Sequence, residues 1–414
     1  MRILSILSGV LLCSSALYAN EVTLTEAMDA AVAQHPALTI ATQTVDGARG
    51  DLQEQGAYAY NPELSIEPQR RALQGGGSTN DYYLTISQGV ELGGKQRYRQ
   101  NFAQAELEAV QLESGALRQQ IAINAARAFV ELYFSKRELV WRNQQSATLS
   151  KLYRALSRQM EVGATDQLSL NLAKASLTQA INAESRAKQQ YATNLSAYLL
   201  AIGGDGVVQG VQPVMPALRT EWRPPSTPVE VALHSRPDLA AKRQRLRSST
   251  AQADLARAQQ TPDITVALMA AREAGDRLIS LALTLPIQVL NSHRGAYIKA
   301  ESQRAVSEVD LQLFEQRVRL EVEEALVNHA TAMQALESMR TIRGESAAVE
   351  GALTLARRAF DAGELEIAEL VIHINQILES RINSAAMLKS GWLARIRLAA
   401  VLGHPEYIIQ GEGE

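Results

Sequence analysis

The chain has 414 residues, of which 21% are charged, and a formal net charge of −3. Such a balanced charge excludes the basic surface that nucleic-acid binding requires. Beyond the N-terminal segment, the sequence contains no run of about 18 apolar residues, so no membrane-spanning helix is expected.

The first 19 residues predict a signal peptide. Arg2 supplies a positive end, residues 3–12 are apolar, and Ala19 is a candidate cleavage residue. The single cysteine, Cys13, lies inside this segment and follows Leu12. A lipid-anchoring cysteine normally follows a small residue, so Leu12 argues against a lipid anchor at Cys13. We therefore expect an exported, cysteine-free protein that either is soluble outside the inner membrane or crosses an outer membrane as β-strands.

The first repeat of the chain spans residues 20–202. Its amphipathic segment over 23–55 is interrupted at Pro36. Two stretches that alternate between apolar and polar residues follow and predict strands at about 63–71 and 81–92. No proline occurs from Gln69 to Gln212. We expect one long helix over 95–162 and a second over 166–202.

The same order of elements recurs after residues 203–228, where five prolines and four glycines predict a linker. The second repeat, residues 229–404, has alternating stretches at about 262–272 and 277–289, followed by a long helical region. Residues 405–414 form a C-terminal tail. Equivalent positions lie roughly 200 residues apart, which indicates an internal duplication.

One motif occurs in both repeats, between the two long helices: an arginine, a glycine and a leucine at matching positions. A glycine that interrupts a helical pattern is typical of a tight turn between antiparallel helices, because glycine adopts the left-handed conformation at a helix end. The first copy comprises Arg158, Val162, Gly163, Ala164, Thr165 and Leu170, and the second comprises Arg358, Ala362, Gly363, Glu364, Leu365 and Leu370.

Each alternating stretch has one apolar and one polar face, as a strand between lipid and an aqueous lumen requires. A soluble two-stranded ribbon on a helical domain is the alternative. Four strands cannot close a barrel, since a closed barrel takes about eight or more, so strands in a membrane would require several subunits. Residues predicted to face lipid are Leu84, Ile86, Val90, Ile279, Leu281, Leu283 and Leu285; those predicted to face a lumen are Thr85, Ser87, Ser280, Ala282 and Thr284.

In its order of elements and its paired turns, the chain resembles the TolC-type outer-membrane efflux proteins over essentially its whole mature length. The motif Glu91-Leu92-Gly93-Gly94-Lys95 resembles the branch that serves heavy-metal resistance-nodulation-division (RND) pumps, the cobalt-zinc-cadmium type. The resemblance implies a mainly α-helical fold with a small membrane β part. It implies a homotrimer with a shared 12-stranded β-barrel and a long periplasmic α-helical barrel.

The function that the resemblance implies is the exit duct of a tripartite efflux system, in the outer membrane of a Gram-negative bacterium with a large periplasmic part. The implied partners are outer-membrane lipid, an inner-membrane RND pump and a periplasmic adaptor protein, which would meet the two turns at the periplasmic tip. Heavy-metal cations are the expected substrate. Drug efflux and protein secretion are alternatives within this class, and a periplasmic coiled-coil adaptor or structural protein is the alternative outside it.

The resemblance also implies a gate. Glu369 occupies a position where family members carry an acidic residue that lines the tip constriction, and the equivalent position in the first repeat is Ser169. A trimer would bring three carboxylates together there. His373 lies four residues after Glu369 and makes this pair a candidate for metal ligation, although a duct should not hold its cargo tightly. We find no catalytic constellation, and we expect neither an enzyme nor a resident cofactor.

Overall fold

A computed structural model of the protein describes residues 21–72, 74–163, 165–204, 211–343, 355, 358–360, 362 and 365–409. The predicted signal peptide with Cys13, and the turn residues Ala164, Gly363 and Glu364, lie outside the described residues.

Long helices make up most of the described chain. Within it, no helix combines the length and the apolarity needed to cross a membrane. In chain order the elements are β1 (Glu21–Thr23), α1 (Leu24–Gln34), α2 (Pro36–Gly56), β2 (Glu63–Ala72), β3 (Ser78–Val90), α3 (Lys95–Glu161), α4 (Gln167–Ala201), β4 (Gln212–Val214), α5 (Pro228–Ser235), α6 (Pro237–Ala258), β5 (Ile264–Glu273), β6 (Asp276–Thr284), α7 (Arg294–Arg343), α8 (Ile367–Leu402) and a 3-10 helix (Pro405–Ile408).

Helix boundaries follow local signals in the sequence. The His35 side chain caps α2 by accepting a hydrogen bond from the Ala37 backbone N–H at 3.2 Å, immediately before Pro36. Gly203 and Gly403, at equivalent positions of the two repeats, follow α4 and α8 with φ of 71° and 79°. This left-handed conformation suits glycine and ends both helices.

The chain divides into two compact units, and both repeats contribute to each unit. The first unit comprises Met1–Ala33, Ala125–Leu218 and Arg343–Lys389, and the second comprises Gln34–Asn124, Arg219–Ile342 and Ser390–Glu414. The compact units therefore do not coincide with the two sequence repeats.

In the first unit, a hydrophobic cluster joins α3, α4 and α8. Leu156 is fully buried, and Leu370 of α8 is 4% exposed. The short parallel pair of β1 and β4 also lies in this unit, and β4 falls within residues 203–228, for which the sequence predicts a linker.

In the second unit, helices pack around a cluster that includes Val318, Val322 and Leu402. Trp222, also from the predicted linker, packs against this cluster and lies over the Arg395 guanidinium at 4.0 Å. A half-buried tryptophan packed against this cluster gives the segment a structural role that its proline content did not indicate.

The second unit also holds an antiparallel sheet of four strands in the order β2-β3-β5-β6. Each repeat contributes one hairpin, and β3 pairs with β5 to join them. β3 begins at Ser78 rather than at 81, because Ser78 already pairs with Ala72. β6 ends at Thr284 rather than near 289, because Thr284 pairs with Thr265, one residue after the start of β5.

Candidate membrane sheet and helical tip

The strand register gives the sheet two chemically different faces. Because neighbouring residues of a strand point to opposite sides, directly paired residues share a face. One row across all four strands is Leu64–Ile86–Leu268–Leu281, and the next is Ile66–Leu84–Ala270–Ile279. We call the side that carries these rows the apolar face.

The apolar face is exposed in the chain. Its nine exposed large hydrophobic side chains range from 47% to 82% exposure: Leu64, Ile66, Tyr82, Leu84, Ile86, Leu268, Ile279, Leu281 and Leu283. Contiguous exposed apolar surface of this kind marks contact with a membrane or with another protein. All predicted lipid-facing residues within the strands share this face; Leu285 lies after the end of β6.

The opposite side, which we call the acidic face, carries all five carboxylates of the four strands and one arginine. It also holds the small residues predicted to face a lumen, in rows such as Ser65–Thr85–Met269–Ser280. The charged residues of this face are Glu63, Glu67, Asp81, Glu273, Asp276 and Arg71.

An ion-pair cluster joins the two hairpins at the end of the acidic face. Arg71 on β2 pairs with the buried Asp81 on β3, with 3.0 Å between Nε and Oδ2, and with Glu273 on β5. Asp81 also accepts a hydrogen bond from the Ala274 backbone N–H at 2.9 Å. Here the described residues 74–77 of the β2–β3 connection lie near residues 274–275 of the β5–β6 connection. We call this side the hairpin end of the sheet.

The Glu91–Lys95 motif lies at the other end of the sheet, where β3 leads into α3. The Lys95 ammonium lies 2.8 Å from the Asp263 carboxylate, which also accepts hydrogen bonds from the Leu92 backbone N–H at 3.0 Å and the Tyr60 hydroxyl at 2.8 Å. Glu91 pairs with Arg99 of α3. The motif therefore ties the first hairpin and its helix to the start of β5 in the second hairpin.

The glycines of this motif allow the turn to form. Gly93 and Gly94 have φ of 74° and 70°, and a Cβ at Gly93 would lie 3.1 Å from the Thr261 hydroxyl oxygen. Sequence reasoning identified the motif by resemblance but missed its partner Asp263. The signal available was the Pro262-Asp263 pair, which repeats Pro62-Glu63 of the first hairpin.

The two predicted docking turns contact one hydrophobic cluster in the first unit. Leu370 belongs to the cluster, while Leu170 and Leu365 are partly buried against it. Gly163 has φ of 73° and ends α3, as the motif predicts. Arg158, Arg358 and Ala362 are exposed and Thr165 is half-buried; Val162 is 77% exposed.

Asp166 and Ser169 cap the start of α4. The Asp166 carboxylate accepts hydrogen bonds from the Ser169 backbone N–H and from the Ser169 hydroxyl, each at 2.8 Å. Both hydrogen bonds lower the pKa of Asp166, because they stabilise the charged carboxylate; the Ser169 N–H has the larger effect and the Ser169 hydroxyl the smaller one. Ser169 thus has a structural role beside its predicted place at the gate.

Glu369 and His373 are exposed on the face of α8 that points away from the cluster containing Leu370 and Ile374. Within the described ranges, no three His, Cys, Asp or Glu side chains come close enough together to hold a metal ion. The positions of Glu369 and His373 thus leave their carboxylate and imidazole available to solvent or to a neighbouring chain.

Comparison with known proteins identifies relatives of the chain. Residues 229–404 match the family model "Outer membrane efflux protein". The cobalt-zinc-cadmium resistance protein CzcC of Cupriavidus metallidurans is 23% identical over 391 residues, which cover 93% of this chain and 91% of CzcC.

Solved structures share the fold. The CmeC outer membrane channel of Campylobacter jejuni is 17% identical with a TM-score of 0.77, covering 92% of this chain and 86% of CmeC. The open-state MtrE outer membrane channel of Neisseria gonorrhoeae is 17% identical with a TM-score of 0.72, covering 92% of this chain and 89% of MtrE. The predicted resemblance to outer membrane efflux proteins is therefore confirmed, by the family model in the second repeat and by the fold along nearly the whole chain.

Proposed function

We propose that the protein is the outer-membrane exit duct of a tripartite efflux system, assembled as a homotrimer, and that it conducts heavy-metal cations. The observation that carries this proposal is the four-stranded sheet. One of its faces is apolar and exposed, the other is acidic, and its edge strands β2 and β6 each pair on one side among the described residues.

The apolar face has the dimensions of a lipid-facing band. Its rows run in steps of two residues from Val90 to Tyr82, whose row also carries Arg272 and Arg277 and forms the polar limit of the band. This distance is about 27 Å at a rise of about 3.4 Å per residue. A strand tilt of about 40° reduces this to a height of about 21 Å, close to the apolar band of outer-membrane barrels. A periplasmic coiled-coil adaptor would not require a lipid-facing apolar band of this kind.

The open edges support a barrel shared between chains. Strand direction alternates across the sheet, so β6 of one chain is antiparallel to β2 of the next and the two could pair without changing the pattern. The family resemblance implies three chains and 12 strands. Pairing in a closed ring would also remove the exposed edges that favour aggregation.

The acidic face supports a cationic substrate. Five carboxylates, one of them the buried Asp81, against one arginine give this face of each chain a net negative charge. Rings of carboxylates favour cations over anions in pores. CzcC, at 23% identity, is named a cobalt-zinc-cadmium resistance protein. These two observations favour heavy-metal cations over drugs or secreted proteins.

The helical turns would meet the remaining partners. Their exposed residues, including Val162 and the two arginines of the motif, form a surface suited to a periplasmic adaptor, which would in turn connect to an inner-membrane RND pump. Glu369 would line the gate at this tip. Its exposure on α8 is compatible with three carboxylates that meet around a threefold axis.

Deletion of the gene, with complementation from a plasmid, tests the proposed substrate. We expect loss of tolerance to divalent metal ions such as cobalt, zinc and cadmium, with tolerance to hydrophobic drugs unchanged. The complementing protein should fractionate with the outer membrane and migrate on gels as a heat-modifiable trimer. Metal tolerance unaffected by the deletion would contradict the substrate, and recovery in the soluble periplasmic fraction would contradict the duct.

A further inference from the structure

Three arginines extend the apolar face at the hairpin end. Arg272 of β5 pairs directly with Arg277 of β6, and Tyr82 of β3 pairs with Arg272 in the same row. Arg70 of β2 lies on this face one row nearer the hairpin end. We use the name arginine row for the pair Arg272 and Arg277 together with Arg70 from the adjacent row.

Charges of the sheet are segregated between its faces. In the described residues of the four strands, every carboxylate lies on the acidic face, and the apolar face carries arginine as its sole charged residue type. Arg71, on the acidic face, is neutralised by Asp81 and Glu273. The arginine row has no such carboxylate.

The arginine row is consequently left with unneutralised charge. Arg272 and Arg277 are exposed and make no ion pair or hydrogen bond with any part of the chain that the structure describes, while Arg70 donates a hydrogen bond to the neutral Ser78 hydroxyl at 3.2 Å. Like charges directly opposite one another destabilise an antiparallel pair. An external anion that bridges both guanidinium groups would remove this repulsion.

We propose that the arginine row binds the phosphate groups of lipid headgroups in the leaflet at the hairpin end of the sheet. This proposal rests on the proposed function, because the apolar face must be in contact with lipid. Guanidinium groups match phosphate oxygens through paired hydrogen bonds. Tyr82, in the same row, has the amphipathic side chain that is typical of the boundary between acyl chains and headgroups.

The location of the row favours lipid phosphate over a soluble anion. Directly next to the row, towards the middle of the sheet, lie the exposed apolar side chains Leu84 and Ile279. A lipid satisfies both surfaces at once, because its headgroup reaches the arginines while its acyl chains cover the apolar residues. A free phosphate ion would leave the apolar side chains in contact with water.

The test uses the purified full-length trimer in three vesicle compositions: phosphatidylcholine alone, phosphatidylcholine with phosphatidylglycerol, and phosphatidylcholine with diphosphorylated lipid A. Spin-labelled lipids report the relative association of each lipid with the protein. We expect the wild type to prefer phosphorylated, anionic lipid, with about a five-fold effect for each arginine near the surface, and we expect this preference to weaken with salt. The double variant Arg272→Gln, Arg277→Gln should lose most of the preference.

The matched control is the double variant Arg154→Gln, Arg186→Gln, which removes two exposed arginines from α3 and α4 and should keep the preference. Equal association of all lipids with the wild type, or a preference retained by the Arg272/Arg277 variant, would overturn the proposal. Abolition of the preference by inorganic phosphate at equal ionic strength would overturn it in favour of a free-anion site. Ion conductance measured on the same preparations separates these outcomes from failure of the duct itself.

Discussion

Leu281 and Ala282 provide a direct test of membrane contact, because they are adjacent in β6 but lie on opposite faces. Leu281 is 75% exposed in the middle row of the apolar face, whereas Ala282 lies on the acidic face opposite Ala267. If the apolar face contacts lipid, Leu281→Arg places a guanidinium near the bilayer midplane. Ala282→Arg places the same group in an aqueous lumen.

The expected cost follows from the depth of the residue. An arginine on the lipid face of a barrel costs about 2–4 kcal/mol at the midplane and about 0–1 kcal/mol near the interfaces. Three substituted chains in a trimer, at sites far enough apart to act additively, would lose about 6–12 kcal/mol of assembly free energy. Ala282→Arg should lose little, since water in the lumen can solvate the added charge.

Outer-membrane fractionation and heat-modifiable migration on gels measure the result. We expect Leu281→Arg to reduce the assembled trimer severely and Ala282→Arg to resemble the wild type. A soluble protein would give the opposite order, because arginine in place of an exposed leucine would improve its solubility. Equal assembly of the two variants would refute the assignment of the two faces.

Three further predictions concern the helical part of the protein. Gly163→Val should strain the turn by about 1–2 kcal/mol or more, because the φ of 73° at this position disfavours a β-branched residue. Export should fall while trimers still form. The control Gly115→Ala, within α3, should leave export unchanged. Glu369→Gln should weaken block by multivalent cations added at the periplasmic side of trimers in planar bilayers, and unchanged block, equal to that of the control Glu366→Gln, would contradict the gate. Burial, together with nearby Arg395 and Arg223, lowers the pKa of His329 to about 4. Between pH 6.5 and pH 4 the imidazole therefore stays neutral in the folded state, whereas it gains a proton in the unfolded state, where its pKa is about 6.5. Stability should therefore fall by about 3 kcal/mol per chain from pH 6.5 to pH 4, and calorimetry should show a smaller fall for His329→Gln.

The sequence was sufficient to predict the elements that depend on local composition. The proline-free stretch predicts α3, which the structure places at Lys95–Glu161, and alternation predicts which strand residues share a face. Strand ends were less predictable, because they depend on the partner strand: Ser78 joins β3 through its pairing with Ala72.

Contacts between the repeats could not be predicted from either repeat alone. The pairing of β3 with β5 brings Lys95 to Asp263, although 168 positions separate them in the sequence. Asp81, a charged residue at the predicted start of a strand, is fully buried, and its carboxylate contacts Arg71 and the Ala274 backbone N–H of two other elements. The arginine row likewise becomes visible once the register aligns Arg272 with Arg277.

The ion selectivity of the purified trimer in a planar bilayer tests the central claim most directly. Under a potassium chloride gradient, the acidic face predicts a stable conductance whose reversal potential indicates preference for the cation. Glu67→Gln, which removes one carboxylate of this face from each chain, should shift the reversal potential towards zero. Absence of conductance, or a reversal potential that indicates preference for chloride, would contradict a cation-conducting outer-membrane duct.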